Sequence, residues 1–475
     1  MIFHSLQFVL FFIVVFTIYL SLGHKLQNRF LLLASYYFYG SWDWRFLLLI
    51  VLTTLTDYFC AKYIHVTADK NIKKRYVAIS CFINLGILGI FKYYNFFLEN
   101  FTHLFATFGY DISGPVLNIL LPVGISFYTF QSMSYTLDVY RKQVSPAENV
   151  LDYALYVSFF PQLVAGPIER AKNLLPQILA PRTVTNKAIQ QAVVLILVGV
   201  FKKLFIADNL ADIVNPVFEP SASPSSAMVL IAGYAFLFQV YCDFSAYTDI
   251  ARGVSKLMGF ELMDNFRAPY LARNLQDFWN RWHISLTTWI RDYLYYPLAF
   301  TRFKKKSIPP YLVTVLTFTI MGLWHGAAWG FVLWGIYNGI ALSIYGLISK
   351  YLPRIKKETS LIVKSSLHIL FVVITFHVIF VGDIFFRSIS FDQSINLLST
   401  LFTEMPFTLE FLQQMKNLSF FVLPIIIIDL FTTKKPIEDV VYELPVIFRY
   451  LFIYFMFYLI YFYGVSKPTF IYFQF

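Results

Sequence analysis

The sequence predicts an all-α polytopic membrane protein. Three observations carry this: apolar residues fall in blocks of membrane-spanning length, charges are scarce, and basic residues cluster in alternate connections. Hydrophobic residues make up 58% of the 475-residue chain and charged residues 14%, where soluble domains hold roughly half and a quarter. A helix crossing the roughly 30 Å hydrocarbon core needs about 20 apolar residues, and the excess here is concentrated in runs of that order.

Taken in order, the apolar blocks lie near 5–22, 29–40, 45–63, 76–98, 117–140, 187–206, 226–250, 310–328, 330–349, 362–381, 418–431 and 445–463. They predict a bundle with about twelve crossings. The block 29–40 is short and fits a tilted span or a continuation of its neighbour. Stretches 151–165 and parts of 252–300 carry too many polar residues or prolines for simple spans. They are expected to be re-entrant or interfacial helices, which are tolerable at membrane depth only when buried in protein.

Loop charges orient the bundle. With the N-terminus outside, the inside connections hold Lys25 and Arg29, Lys70 to Arg75, Arg141 and Lys142, Arg252 to Lys306, Lys350 to Lys357, and Lys434 with Lys435. The outside connections 99–116 and 207–225 contain acids and no Lys or Arg. That asymmetry follows the positive-inside rule. It places both termini outside the cytoplasm and segment 251–309 within it.

The net charge of +11 belongs to this pattern, so nucleic-acid binding is not expected. Three cysteines, Cys60, Cys81 and Cys242, form neither a CxxC nor an even set, which argues against a disulfide framework or a cysteine metal site. The apolar N-terminus lacks a basic n-region and reads as a first membrane helix. No internal repeat or separate soluble domain is visible, and residues 1–475 are expected to form one transmembrane domain.

Two constellations could carry chemistry. Asn274 to Asp292 reads NLQDFWNRWHISLTTWIRD. Its Leu275, Phe278, Trp279, Trp282, Leu286, Trp289 and Ile290 recur at helical spacing, as in a helix lying in the membrane interface. His283 falls at the edge of that arc, either a hydrogen-bonded interfacial histidine or a functional one. The second constellation, Met321 to Gly330, sets His325 between Trp324 and Gly326. Counted from Pro310, His325 lies about 22 Å along its helix, and an ionisable group at such depth is a functional-site hypothesis by default. Neutral imidazole can take the proton of an attacking hydroxyl near pH 7. A helix-packing histidine is the alternative. His103, His368 and His377 lack the tryptophan and glycine frame. HExxH, GxSxG and P-loop motifs are missing from the sequence, leaving metalloprotease, serine-hydrolase and ATPase readings without their usual support. No metal site is expected. Asp57, Asp138, Asp243 and Asp249 border apolar blocks, and pairing with Arg252, Arg273 and Arg281 is the expected outcome.

Five stretches resemble the membrane-bound O-acyltransferase family, in particular its bacterial alginate O-acetyltransferase branch. They are LPVGISFYTFQSMSYTLDVYR (121–141), FPQLVAGPIER (160–170), YCDFSAYTDIARGVSKLMGF (241–260), FWNRWHISLTTWIRDYLYYPL (278–298) and GLWHGAAWGFVLWGIYNG (322–339). The C-terminal FIYFQF is similar to that branch as well. The resemblance implies a funnelled helix bundle with a thin central barrier, reached by donor from the cytosol and acceptor from outside, with a core near 117–345. It implies His325 as the catalytic histidine and His283 as the second, and Asn280, Arg281, Trp282 and Trp324 as donor contacts. It further implies acetyl-CoA as donor, with no permanently bound cofactor. A polysaccharide acceptor and a periplasmic partner of the SGNH-hydrolase-like or alginate-acetylation type complete the expectation, in a bacterial inner membrane. The loop YYPLAFTRFKKK departs from the Gly-Gly-Asn-Arg-like stretch of many relatives, so the donor contacts of that stretch are not carried over to it. The same architecture serves peptidoglycan O-acetylation and teichoic-acid D-alanylation. An acyl relay through His325 or Tyr472, a non-catalytic transporter of glycan or acyl carrier, and an inert scaffold are the other readings.

Overall fold

The computed structural model describes residues 1–111, 114–117, 120–164, 166–300, 302–303, 306–351, 360–404, 406, 408–467 and 470–471. Tyr472 and the rest of the C-terminal motif after Ile471 lie outside the described residues. Apart from a hairpin of two-residue strands pairing Arg302 with Ser307 and Phe303 with Lys306, the described elements are helices. Eight helices are long and apolar enough to cross a membrane: 44–66, 70–107, 186–217, 226–257, 329–348, 362–387, 409–432 and 446–463. Leu6–Ser21 and Pro310–His325 are shorter apolar helices. The chain is a multi-pass membrane protein, and its contacts divide it into two compact units, 1–192 with 250–263, and 193–249 with 264–475.

The first unit is tied together by a buried carboxylate. Asp57 accepts hydrogen bonds from Asn84 Nδ2 at 2.8 Å, from Thr136 Oγ1 at 2.9 Å and from the Ser80 hydroxyl. Neutral donors, not an arginine, satisfy it, and they join three helices in sequence order: Leu47–Val66, Lys70–Leu88 and Ile125–Tyr140. The block expected at 117–140 becomes helical only at Ile125, and its Ser126, Thr129, Gln131, Ser132, Ser134 and Thr136 are buried. Such a polar helix is stable at membrane depth only inside protein, which separates it from the lipid-facing spans. The FPQLVAGPIER stretch carries buried Glu169 as its last residue but one, and the carboxylate accepts the Met263 N–H at 2.6 Å. Burial pushes the Glu169 carboxyl up to about 7.

Two connections expected outside the membrane are partly helical. The fourth apolar block runs on through a π-helical turn at Gly89–Tyr93 to Thr107, and the sixth through Lys202–Ala207, also π-helical, to Val217.

In the second unit this π-turn buries two successive lysines. Lys202 pairs with Asp249 at 2.7 Å, and Lys203 bridges Asp243 at 2.7 Å and Asp208 at 2.9 Å. The ion pairing expected for Asp243 and Asp249 is made with these lysines: a π-turn shifts the side-chain register by one residue, and both ammonium groups reach helix 226–257. Asp243 also accepts the Ile471 N–H at 2.7 Å, and Asp208 the Lys467 N–H at 3.0 Å. These bonds fix the end of the described chain in the core, where Phe470 packs on Tyr247 with ring centres 3.9 Å apart.

Candidate active site

Both candidate histidines belong to the second unit. His325 is the last residue of the helix Pro310–His325, and the extended Gly326 ends it. The next helix, Trp329–Ile348, folds back against it through glycines. A Cβ at Gly322 would collide with the Phe331 carbonyl, and one at Gly335 with the Phe318 carbonyl, so the backbones touch where larger residues would hold them apart. That contact sets Trp334 edge-on to His325, with ring centres 5.2 Å apart and planes at 87°. Trp324 and Phe386 stand at 5.0 Å and 5.4 Å. His325 is buried within its own protein by these rings.

His283 arrives by a different device. The expected single helix over 274–292 is broken into Leu275–Trp279 and Ile284–Ile290, followed by a π-turn at Arg291–Tyr295. His283 sits at the break with φ +43°, in the left-handed region, which is uncommon outside glycine. Tertiary bonds impose this conformation: the Ile284 N–H donates to the Asn265 carbonyl at 2.9 Å, and the Arg267 N–H donates to the Arg281 carbonyl at 3.0 Å. The Asn265 side-chain oxygen accepts from the Ser285 amide at 3.1 Å, the Ser285 hydroxyl at 2.9 Å and His283 Nδ1 at 3.2 Å. Because that oxygen is an acceptor, Nδ1 carries the ring proton, and Nε2 is the basic nitrogen. His283 lies outside the candidate spans. Burial pushes its imidazole down to about 3, so the ring is neutral at physiological pH. Phe244 packs edge-on to it at 4.7 Å.

The structure brings the two histidines together, with ring centres 6.5 Å apart and Trp324 against both, 6.1 Å from His283. Between the helices is a narrow cavity of about 20 Å³ lined by His325, Trp279, Trp282, Trp334, Asn338 and Asp383, with Val240, Phe278, Ile379 and Phe386. That is room for about one water. Of the expected donor contacts, Trp282 lines this cavity and Trp324 packs on both histidines. Arg281 is paired with Asp277 at 2.7 Å, and Asn280 is exposed. Among the described residues no group of three or more His, Cys, Asp or Glu could hold a metal ion.

Asp383 and Asn338 join the site without having been expected from the sequence. Asp383 accepts a hydrogen bond from Trp334 Nε1 at 3.3 Å, and Asn338 Nδ2 donates to the Trp334 carbonyl at 2.9 Å. The signal for Asp383 was present: it is an acid near the end of the 27-residue apolar helix Leu361–Arg387, just beyond the block assigned to 362–381.

Comparison with known proteins gives a consistent result. The model of the membrane-bound O-acyltransferase family matches residues 31–391. The probable alginate O-acetylase AlgI of Pseudomonas aeruginosa is 35% identical over 406 residues, covering 85% of this chain and 75% of that one. The peptidoglycan O-acetyltransferase of Helicobacter pylori is 35% identical over 394 residues, covering 78% and 72%. The teichoic acid D-alanyltransferase of Bacillus subtilis is 31% identical over 292 residues, covering 59% and 72%. The match spans both histidines and the helices that hold them: this chain belongs to the membrane-bound O-acyltransferase family and is an O-acyltransferase of the membrane.

Proposed function

We propose that the chain transfers acetyl groups from cytosolic acetyl-CoA to a hydroxyl of an extracytoplasmic polysaccharide such as alginate, with His325 as the general base. The observation that carries this reading is His325 at the end of its helix, buried among aromatic rings yet facing a cavity. The hydroxyl that first receives the acetyl group, on the glycan or on the periplasmic partner that passes it on, attacks the thioester carbonyl, forming a C–O bond as the C–S bond breaks. Its proton passes to His325 and then to the departing CoA thiolate. His283, neutral and fixed by Asn265, supports the donor side. The indole N–H of Trp279 is buried and has no hydrogen-bond partner among the described residues, which suits it to the oxyanion that develops on the carbonyl.

The proposed setting is a bacterial inner membrane, with both termini outside the cytoplasm, about twelve crossings, and an SGNH-like periplasmic partner that completes delivery to the sugar. Peptidoglycan is the second acceptor favoured, because the Helicobacter relative matches at the same 35% identity as the Pseudomonas one. The test is mass spectrometry of envelope glycans from cells carrying the wild-type chain or His325→Ala at equal membrane abundance. Acetylation is expected to fall to the level of the gene deletion in the variant. Unchanged acetyl content removes His325 from the mechanism, and the identity of the acetylated glycan selects the acceptor.

A further inference from the structure

The cavity at His325 contains one acidic side chain, Asp383, which no motif singled out and which the transfer steps do not yet use. Its surroundings are otherwise aromatic, aliphatic or amide. Asp383 is partly buried, on a helix brought close to Trp329–Ile348 by Gly382 beside it. A Cβ at Gly382 would lie 3.2 Å from Asn338 Nδ2 and from the Tyr337 ring. Trp334 donates to the carboxylate from one edge and presents its ring to His325. Phe386, one turn after Asp383, packs on both Trp334 at 5.3 Å and His325 at 5.4 Å. The acid, the indole and the imidazole thus form one packed unit.

We propose that Asp383 is the counter-charge of the transfer site: its carboxylate stabilises the imidazolium that forms when His325 takes the acceptor's proton, and Trp334 holds it in place. The proposal rests on the reading of His325 as general base. The charge balance supports it. In a site of low dielectric, a cation formed in the same cavity as a carboxylate costs less than one formed among aromatic rings alone. The other ionisable groups near Asp383 have partners of their own, with Tyr270 donating to the Leu237 carbonyl at 2.7 Å and Tyr337 to the Val378 carbonyl at 2.9 Å. His283 is held by Asn265, Arg281 is paired with Asp277, and Arg387 donates to Asn215 at 3.2 Å. When the proton moves on to the thiolate, His325 returns to neutrality and Asp383 is unchanged, so it acts as a positioning residue and is not consumed in any step.

The experiment uses native membranes carrying the full chain and the cell's own acceptor, with radiolabelled acetyl-CoA as probe, and follows label incorporation from pH 5 to 9. For Asp383→Asn the turnover rate is expected to fall about 100-fold, while the KM for acetyl-CoA stays within about 2-fold. The acidic limb of the pH–rate profile, which reports His325, is expected to move about one unit lower, because loss of a neighbouring negative charge weakens the base. Trp334→Phe, lacking the N–H that holds the carboxylate, should move the limb in the same direction by less, and Asp383→Glu should restore most of the rate. Asp383→Asn with an unmoved limb, whether fully active or inactive though folded, overturns the proposal. An active His325→Ala instead sinks the parent reading, so the two failures are distinguishable.

Discussion

At the scale of single residues, the two histidines are prepared in opposite ways. His325 is placed by helix geometry and ringed by aromatics, whereas His283 is bent into a left-handed conformation and tied to Asn265. The strained residue predicts a separation of stability from activity. Asparagine tolerates the left-handed region better than most residues. His283→Asn should therefore leave the melting temperature in detergent nearly unchanged while lowering acetyl transfer, and His283→Val should lower both. Protonation gives a signed expectation as well. With a folded-state value of about 3 against an ordinary 6.5, His283 binds fewer protons folded than unfolded between those values. Stability should therefore be full above about pH 6.5 and decline as the pH falls toward 3. Melting curves at pH 7 and pH 5 test this, with a smaller drop expected in His283→Asn. His325 was legible because a histidine deep in an apolar helix is costly and its tryptophan and glycines are adjacent in sequence. Asp383 is marked as an acid in an apolar helix, but its link to His325 was not legible, because it comes 58 positions later and shares the cavity only through the packing of a different helix. The partners of Asp243 and Asp249 were hidden for the same kind of reason, since a π-turn has no period that a sequence pattern reveals.

At the scale of elements, apolar block length located the helices, and what it could not see was tertiary override. Periodicity over 274–292 predicts one helix, yet hydrogen bonds from residues 265–267 break it at His283. The helix Ile125–Tyr140 is apolar enough to be found but polar enough to be central and protein-buried. The hairpin of Pro310–His325 and Trp329–Ile348 depends on glycines whose added Cβ would strike backbone. Gly335→Ala is therefore expected to destabilise the protein by about 1–3 kcal/mol, seen as a lower melting temperature, and to reduce activity by displacing Trp334. Gly86, in the helix Lys70–Leu88, has open space where a Cβ would go, with nothing within 4 Å of that position. Gly86→Ala should be neutral or slightly stabilising, and equal losses for the two variants would contradict the packing role of Gly335.

At the scale of the whole molecule, the chain is a multi-pass O-acyltransferase whose candidate chemistry lies in one of its two compact units. Loop charges carry the orientation: accessibility labelling of single cysteines is expected to find position 111 reactive from outside the cell and position 267 only after permeabilisation. The reverse pattern would invert the proposed direction of transfer. The central claim is that His325 is the general base of acyl transfer. Its most direct measurement is rapid-quench kinetics of the purified full-length chain in lipid nanodiscs, with acetyl-CoA labelled in the acetyl group and the envelope acceptor present. The wild type is expected to empty the thioester of label and His325→Ala to leave it intact, slowed by about 100-fold or more. Loss of label from the donor at the wild-type rate in that variant would contradict the claim.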